Sequence, residues 1–473
     1  MDIQRDHGSF RDPSGYVFYY KDEVYRAIDE KAFLIISSLQ KENTLKELVE
    51  LGYVVGTEIL TPQHKIYQEL QALLPKEKWF LKHQKISMIS YPYEWSIGML
   101  ADAALITLKL QSILIEKGYS LKDASVYNIQ FVNDKPVFID ITSIEQPPRL
   151  DIWNAYGQFC QMFLYPAMLQ KYKGLPIKNY YISNTNGMAI EDVHSIIGSY
   201  NSLKPSFFVD VFLQFKLQKT AQKQTGKLKS RVAQKNTNFK PQKLNLDRLI
   251  SKISKLRKNT IVSGHWADYV NTHSYSDAAE KEKVDYINNF LHKYSPEKVI
   301  DIGCNTGQYS ILAAKNKAKV IATDYDHSSI DKLYNEIKGK DLSILPLCVD
   351  ITNPSPSIGF ENKERKSFLE RIDCDAIFAL ALIHHLVITS RIPLVKLRDF
   401  FYQTTSKYLV IEFVAREDSM FQKLLELRED IYESIVEDEF LKIFQEKFTI
   451  LESSKIAGTQ RTLFTLEKIV NEE

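Results

Sequence analysis

The stretch around residue 300 restricts this chain more than any other. Val299-Ile300-Asp301-Ile302 is a short apolar run broken by one acid, and Gly303-Cys304-Asn305-Thr306-Gly307 follows it directly. The run reads as a buried strand and the glycines as a tight turn. Ser310-Ile311-Leu312-Ala313-Ala314 then begins a helix whose amide end faces that turn. A second strand, Ala318 to Thr323, ends in Asp324, 17 residues after Gly307. An acid at the tip of the second strand of a doubly wound sheet accepts hydrogen bonds from ribose hydroxyls. The spacing is not G-x-G-x-x-G, which disfavours a nicotinamide dinucleotide.

The rest of the C-terminal half keeps the alternation of strand and helix. Leu345 to Val349 reads as a third strand ending in Asp350. Asp375 to Leu382 reads as a fourth strand and its exit, followed by Ile383-His384-His385-Leu386, and Tyr408 to Phe413 as a fifth. Phe448 to Leu451 and Arg461 to Leu466 are a final apolar pair. The turn D-x-G-x-x-x-G resembles motif I of class I S-adenosylmethionine-dependent methyltransferases. That resemblance implies that the final pair forms the antiparallel edge hairpin closing the sheet. Four phrases narrow the resemblance to NoeA-like methyltransferases: Asp301 to Gly307, Asn353 to Phe360, Leu380 to Leu386, and Ile411 to Val414. Phe360 stands where a tryptophan is expected. The resemblance implies a Rossmann-like α/β domain that binds S-adenosyl-L-methionine. It implies that Asp301, Gly303, Cys304, Asn305 and Gly307 hold the amino-acid part of the cofactor. By the same resemblance Asp324 holds the ribose, Asp350 lies beside the adenine amino group, and Ala381 lines the cofactor.

Methyl transfer from a sulfonium needs the acceptor in line with the S–CH₃ bond, and a hydroxyl acceptor must lose its proton. His384 and His385 follow the fourth strand at the end where open sheets bind ligands. Imidazole is a suitable base at neutral pH. Either histidine is therefore the expected base or acceptor-positioning group, and Glu412 is expected to orient it. The bland alternatives are a helix cap for a histidine and a backbone-bonded buried carboxylate for Glu412. Glu364 and Arg365 read either as acceptor contacts or as a solvated charged face. Trp266 and Tyr269 read as a pocket lid or as packing.

The N-terminal half has a different texture. Asp123 precedes Asn128 by five positions, and Asp140 follows 12 later, after a hairpin-like stretch from Phe131 to Asp140. Kinases space their catalytic-loop Asp and Asn, and the metal-binding Asp beyond a strand pair, in this way. The half resembles a kinase-like α+β fold, nearer small-molecule kinases than protein kinases. That resemblance implies Asp123 as base, Asn128 and Asp140 as magnesium ligands, and ATP with Mg²⁺ as further ligands. The departures are substantial. Leu121 replaces the usual histidine, Asp140-Ile141-Thr142 lacks the glycine, and Asp12-Pro13-Ser14-Gly15 stands where a glycine-rich loop is expected. Arg26 is the nearest basic residue to the missing strand lysine. A pseudokinase scaffold is the competing expectation.

Composition sets the outer limits. The chain has 473 residues, enough for two or three domains at roughly 150 each. Lys and Arg total 61 against 59 Asp and Glu, which argues against a dedicated nucleic-acid binder. The four cysteines form no C-x-x-C pair, and the polar start excludes a secretory signal peptide. A cytoplasmic protein without a membrane-spanning segment is expected. From Lys216 to Lys258 the only acid is Asp247, so this basic stretch reads as a solvated connector with at least one amphipathic helix. The expected organisation is a kinase-like domain over 1–215, a connector over 216–260, and a methyltransferase domain over 261–473. The leading expectation is O-methylation of a saccharide, glycoconjugate or other small polar acceptor. One alternative is an RNA or protein methyltransferase using the connector; another is a cofactor-binding regulatory protein without turnover.

Overall fold

The computed structural model describes residues 3–223, 236–258, 277–426 and 436–470. The chain forms two units: residues 1–260 with Ser357–Lys366, and residues 261–356 with 367–473.

The first unit opens with an antiparallel sheet of β1 (Gln4–Arg5), β2 (Gly15–Tyr20), β3 (Glu23–Ile28), β4 (Thr57–Leu60) and β5 (Trp79–His83), ordered β1-β2-β3-β5-β4. Period-two alternation places Phe18, Tyr20, Tyr25, Ala27 and Phe80 in one aromatic core. The opposite face carries Val17, Arg26 and Leu81, which are register partners across β2, β3 and β5. Helix α1 (Glu30–Lys41) follows, capped by the Asp29 carboxylate on the Ala32 amide. Helix α2 (Ile97–Glu116) is apolar on all sides and long enough to cross a bilayer, yet most of it is buried inside the unit. An all-round apolar helix of this kind serves as a core element. Two short ladders complete the β structure: β6 (Ser120–Leu121) with β9 (Ile144–Glu145), and β7 (Ile129–Val132) with β8 (Lys135–Phe138).

Part of the basic stretch is helix α3 (Lys240–Lys258), which packs on α2 through Leu246, Leu249, Ile253 and Leu256. Four of its seven basic side chains are partnered within the unit. Lys243 pairs with Glu116 and Arg257 with Asp102, each at 2.8 Å. Arg248 and Lys252 both pair with the buried Asp210, at 2.8 and 2.6 Å. In the same unit Glu364 pairs with Arg11 at 2.7 Å, and the Arg365 guanidinium lies 3.7 Å over the Tyr127 ring.

The second unit is a seven-stranded sheet. Its strands are β10 (Lys298–Ile302), β11 (Lys319–Asp324), β12 (Ile344–Cys348), β13 (Cys374–Ala379), β14 (Thr405–Val414), β15 (Phe448–Lys455) and β16 (Arg461–Lys468). The order is β12-β11-β10-β13-β14-β16-β15, with β10 to β14 parallel and β16 antiparallel to both its neighbours. The central strands are buried almost throughout, as covered parallel strands must be. Helices α4 (Asp277–Tyr294), α5 (Gln308–Lys315) and α6 (His327–Ile337) accompany β10, β11 and β12. Strand order reverses between β10 and β13, so the ligand crevice of such a sheet opens at their carboxyl ends. The turn after β10, Asp324, Asp350 and the two histidines all lie at that end.

Candidate active site

The turn after β10 is shaped by sterics. Gly303 and Gly307 take φ of 76° and 83°, which side-chain-bearing residues avoid. A Cβ on Gly307 would lie 2.4 Å from the Leu333 side chain on α6, so only glycine lets the turn approach that helix. Asn305 and Ala381 also hold positive φ, at 49° and 50°. Such residues cost on the order of 1–3 kcal/mol and cluster where ligands are gripped. One lies after β10 and the other after β13, on the two lips of the crevice.

Two carboxylates sit at the base of this end. Asp301 is 2% exposed and accepts the Ser310 hydroxyl at 2.6 Å. Burial pushes its carboxyl up to about 6. Asp324 accepts the Asn305 amide at 2.9 Å and the Asp326 amide at 2.8 Å, and burial pushes it up to about 6 as well. Both retain lone pairs for further donors. Acceptors of this kind suit a ligand that brings an ammonium group and ribose hydroxyls, as S-adenosylmethionine does. Asp350 caps its own turn, accepting the Thr352 amide and hydroxyl at 2.9 and 2.7 Å. Cys304 is buried, with its amide bonded to the Thr323 carbonyl at 3.0 Å.

The histidine side is differently built. His384 is 2% exposed, and among the described residues neither ring nitrogen has a hydrogen-bond partner. Burial, with the nearby His385 and Arg461, holds its pKa well below the usual range, so the ring is neutral. His385 is half-buried, its ring 4.2 Å from that of His384, and it starts the turn His385–Thr389. Glu412 is fully buried. It accepts the Ala381 amide at 2.8 Å, pairs with Lys283 on α4, and lies 3.4 Å from Arg461. Arg461 in turn holds Asp418 at 2.8 Å. The two cations and two acids balance, and the cluster fixes the backbone of Ala381 on the crevice lip.

No protein-family model matches the chain. The nodulation protein NoeA of Rhizobium meliloti (strain 1021) is 33% identical over 467 residues, which is 98% of this chain and 95% of NoeA. The chain belongs to the NoeA family. Solved structures with a similar fold include N-methyltransferase NodS from Bradyrhizobium japonicum WM9 in complex with S-adenosyl-L-homocysteine (13% identity, 43% of this chain, 97% of NodS, TM-score 0.31). Another is the magnesium protoporphyrin IX methyltransferase ChlM of Synechocystis PCC 6803 with bound SAM (13% identity, 43% of this chain, 89% of ChlM, TM-score 0.29). A third is WbdD (14% identity, 44% of this chain, 43% of WbdD, TM-score 0.30).

The NoeA-family site contains residues that sequence reasoning passed over: Lys283, Ser310, Asp418 and Arg461. Lys283 left a trace. It occupies a core-facing position in the series Ala279, Lys283, Ile287 on α4, where an apolar residue is the rule. Trp266 and Tyr269 lie outside the described residues.

In the first unit, Asp123 accepts the Ser125 amide at 2.9 Å, and burial with the charge of Asp140 pushes its carboxyl up. Asn128 closes the turn Val126–Asn128 and accepts the Ile139 amide on its carbonyl at 2.8 Å. Asp140 pairs with Arg26 at 2.7 Å. Burial pushes its carboxyl up, but Arg26 and the Ser143 and Thr142 hydroxyls outweigh this and the net shift is downward. Among the described residues no group of three or more His, Cys, Asp or Glu side chains is placed to hold a metal ion.

Proposed function

We propose that the second unit transfers the S-adenosylmethionine methyl group to a hydroxyl oxygen of a polyhydroxylated acceptor, a saccharide or glycoconjugate. The observation that carries this is His384. A buried imidazole with two unpartnered nitrogens costs about 1–3 kcal/mol per unsatisfied group. It is retained at the carboxyl end of β13, where an acceptor must stand. A hydroxyl satisfies it: the O–H donates to the neutral ring and passes its proton there as the oxygen attacks the methyl carbon. Bound S-adenosylmethionine supplies the electrophilic methyl. Asp301, the Gly303–Gly307 turn and Asp324 hold it, and Ala381, fixed by Glu412, lines the opposite lip. The sulfonium needs no metal for this chemistry, and none is assigned.

The acceptor class follows from charge. Four of the seven bases of α3, Lys243, Arg248, Lys252 and Arg257, are paired with Glu116, Asp210 and Asp102, which reduces what that helix offers a phosphate backbone. This favours a neutral, hydroxyl-rich acceptor over RNA. The first unit serves in this account as the scaffold that presents the acceptor rather than as an active kinase.

Labelled S-adenosylmethionine, offered with oligosaccharide, peptide and RNA fractions, tests the reading. Label is expected in the carbohydrate fraction as base-stable methyl ether. Label in RNA or protein, or transfer undiminished in His384→Phe, would contradict it.

A further inference from the structure

The most tightly connected polar cluster outside the methyl-transfer site lies in the first unit, around Arg26. This side chain is buried, 5% exposed, on the sheet face opposite the aromatic core. Its Nη1 donates to Asp140 and its Nη2 to Asp12, each at 2.7 Å. The Thr142 hydroxyl lies 2.8 Å from both the same carboxylates. The Ser143 hydroxyl donates to the second Asp140 oxygen at 2.7 Å. Lys122 donates to the hydroxyl of Ser14, in the turn that contains Asp12, at 3.0 Å.

We propose that Arg26 stands where a kinase-like site holds its metal, so that the first unit is an arginine-locked scaffold that takes no magnesium nucleotide. The inference rests on the kinase-like reading of Asp123, Asn128 and Asp140. Magnesium demands near-octahedral oxygen donors at about 2.0–2.1 Å and sheds water reluctantly. Asp140 Oδ1 takes both Arg26 and Thr142 and Oδ2 takes Ser143, and the positive charge of the guanidinium opposes a dication at the same carboxylate. The loop that covers the phosphates in kinases must leave room beneath it. Here its counterpart, residues 12–15, is drawn inward: Asp12 is held by Arg26 and Thr142, and Ser14 by Lys122. The cluster joins four chain segments, the 12–15 turn, β3, Lys122 and the 140–143 turn, and its role is to hold them in one arrangement.

The test uses the full chain. Magnesium-ATP is titrated by calorimetry, and unfolding temperature is followed with and without millimolar Mg²⁺, for the wild type, Arg26→Met, Asp140→Asn and the double variant. The wild type is expected to show no magnesium-dependent ATP heat and no Mg²⁺ shift. Each single variant is expected to unfold several degrees lower, and the double to lose less than the sum of the two, because one interaction is removed twice. S-adenosylmethionine affinity, measured alongside, stays unchanged, which separates this inference from the methyltransferase assignment. Saturable magnesium-dependent ATP binding by the wild type would overturn the lock, as would strictly additive single effects. Nucleotide binding that survives Asp140→Asn would overturn both the lock and the kinase-like reading. If the variants do not fold, the wild-type titration decides alone.

Discussion

Asp301 and Asp324 face opposing demands. Each carboxyl is raised from an ordinary 3.8 to about 6 by burial. A raised acid favours the fold in its neutral form. That stability is full below about pH 4 and is lost as pH rises through 6, on the order of 3 kcal/mol per group at about 1.4 kcal/mol per pKa unit. Cofactor binding runs the other way, because a cationic amine and ribose hydroxyls need ionised acceptors. The free protein is therefore expected to lose melting temperature between about pH 4 and 6.5 and to change little above that, while the stabilisation by added S-adenosylmethionine grows over the same range. A ligand-induced shift flat in pH would remove these acids from the cofactor site. His384 makes a complementary prediction. Replacing it by Phe removes two unsatisfied buried nitrogens, so melting temperature should hold or rise. Turnover should fall about 10²–10⁴-fold, the usual worth of a general base. A drop in both would mark His384 as structural. The glycine turn and its acids were legible because their partners lie within a few residues or at a fixed strand offset. Lys283 was not, because its partner Glu412 lies 129 positions away and only the folded sheet joins them.

At the scale of elements, α4, α5 and α6 are tied to the sheet by two devices. The first is the close approach of the turn to α6. Gly307→Ala would drive a methyl into Leu333 and force a left-handed φ on a residue that resists it. We expect a loss of several degrees in melting temperature and at least a tenfold weaker cofactor. Leu333→Ala, added to it, should restore part of the stability by making room, and no restoration would show that φ strain alone is at fault. The second device is the Lys283–Glu412 pair between α4 and β14. Lys283→Met leaves the buried Glu412 with Arg461 as its remaining cation and should lower stability, a loss most of which Lys283→Met with Glu412→Gln should recover. Equal losses in single and double variants would disprove the coupling. All seven strands of this sheet could be placed from apolar runs bounded by acids and turns. Helix α2 was harder to place, because uniform apolarity carries no period and looks the same in a protein core as in a bilayer.

At the scale of the whole molecule, the two units differ in how much their sequences disclosed. The second has a parallel sheet whose strand order dictates where a ligand binds, so a motif on one strand implies its partners on the next. The first has polar residues at kinase-like spacing, but spacing does not say whether Asp140 meets a metal or Arg26. Charge balance had the same limit. A run of bases with a single acid reads as a solvated stretch, and the fold supplies the acids for α3 from Asp102, Glu116 and Asp210. On the proposed function, S-adenosylmethionine is gripped by the turn after β10 and the acid at the end of β11. Calorimetric titration of S-adenosylmethionine into the full chain tests it, with Asp324→Ala and Asp140→Ala measured beside the wild type. One site per chain, lost or weakened at least tenfold in Asp324→Ala and unchanged in Asp140→Ala, is the predicted result. Binding that Asp324→Ala leaves intact would contradict it.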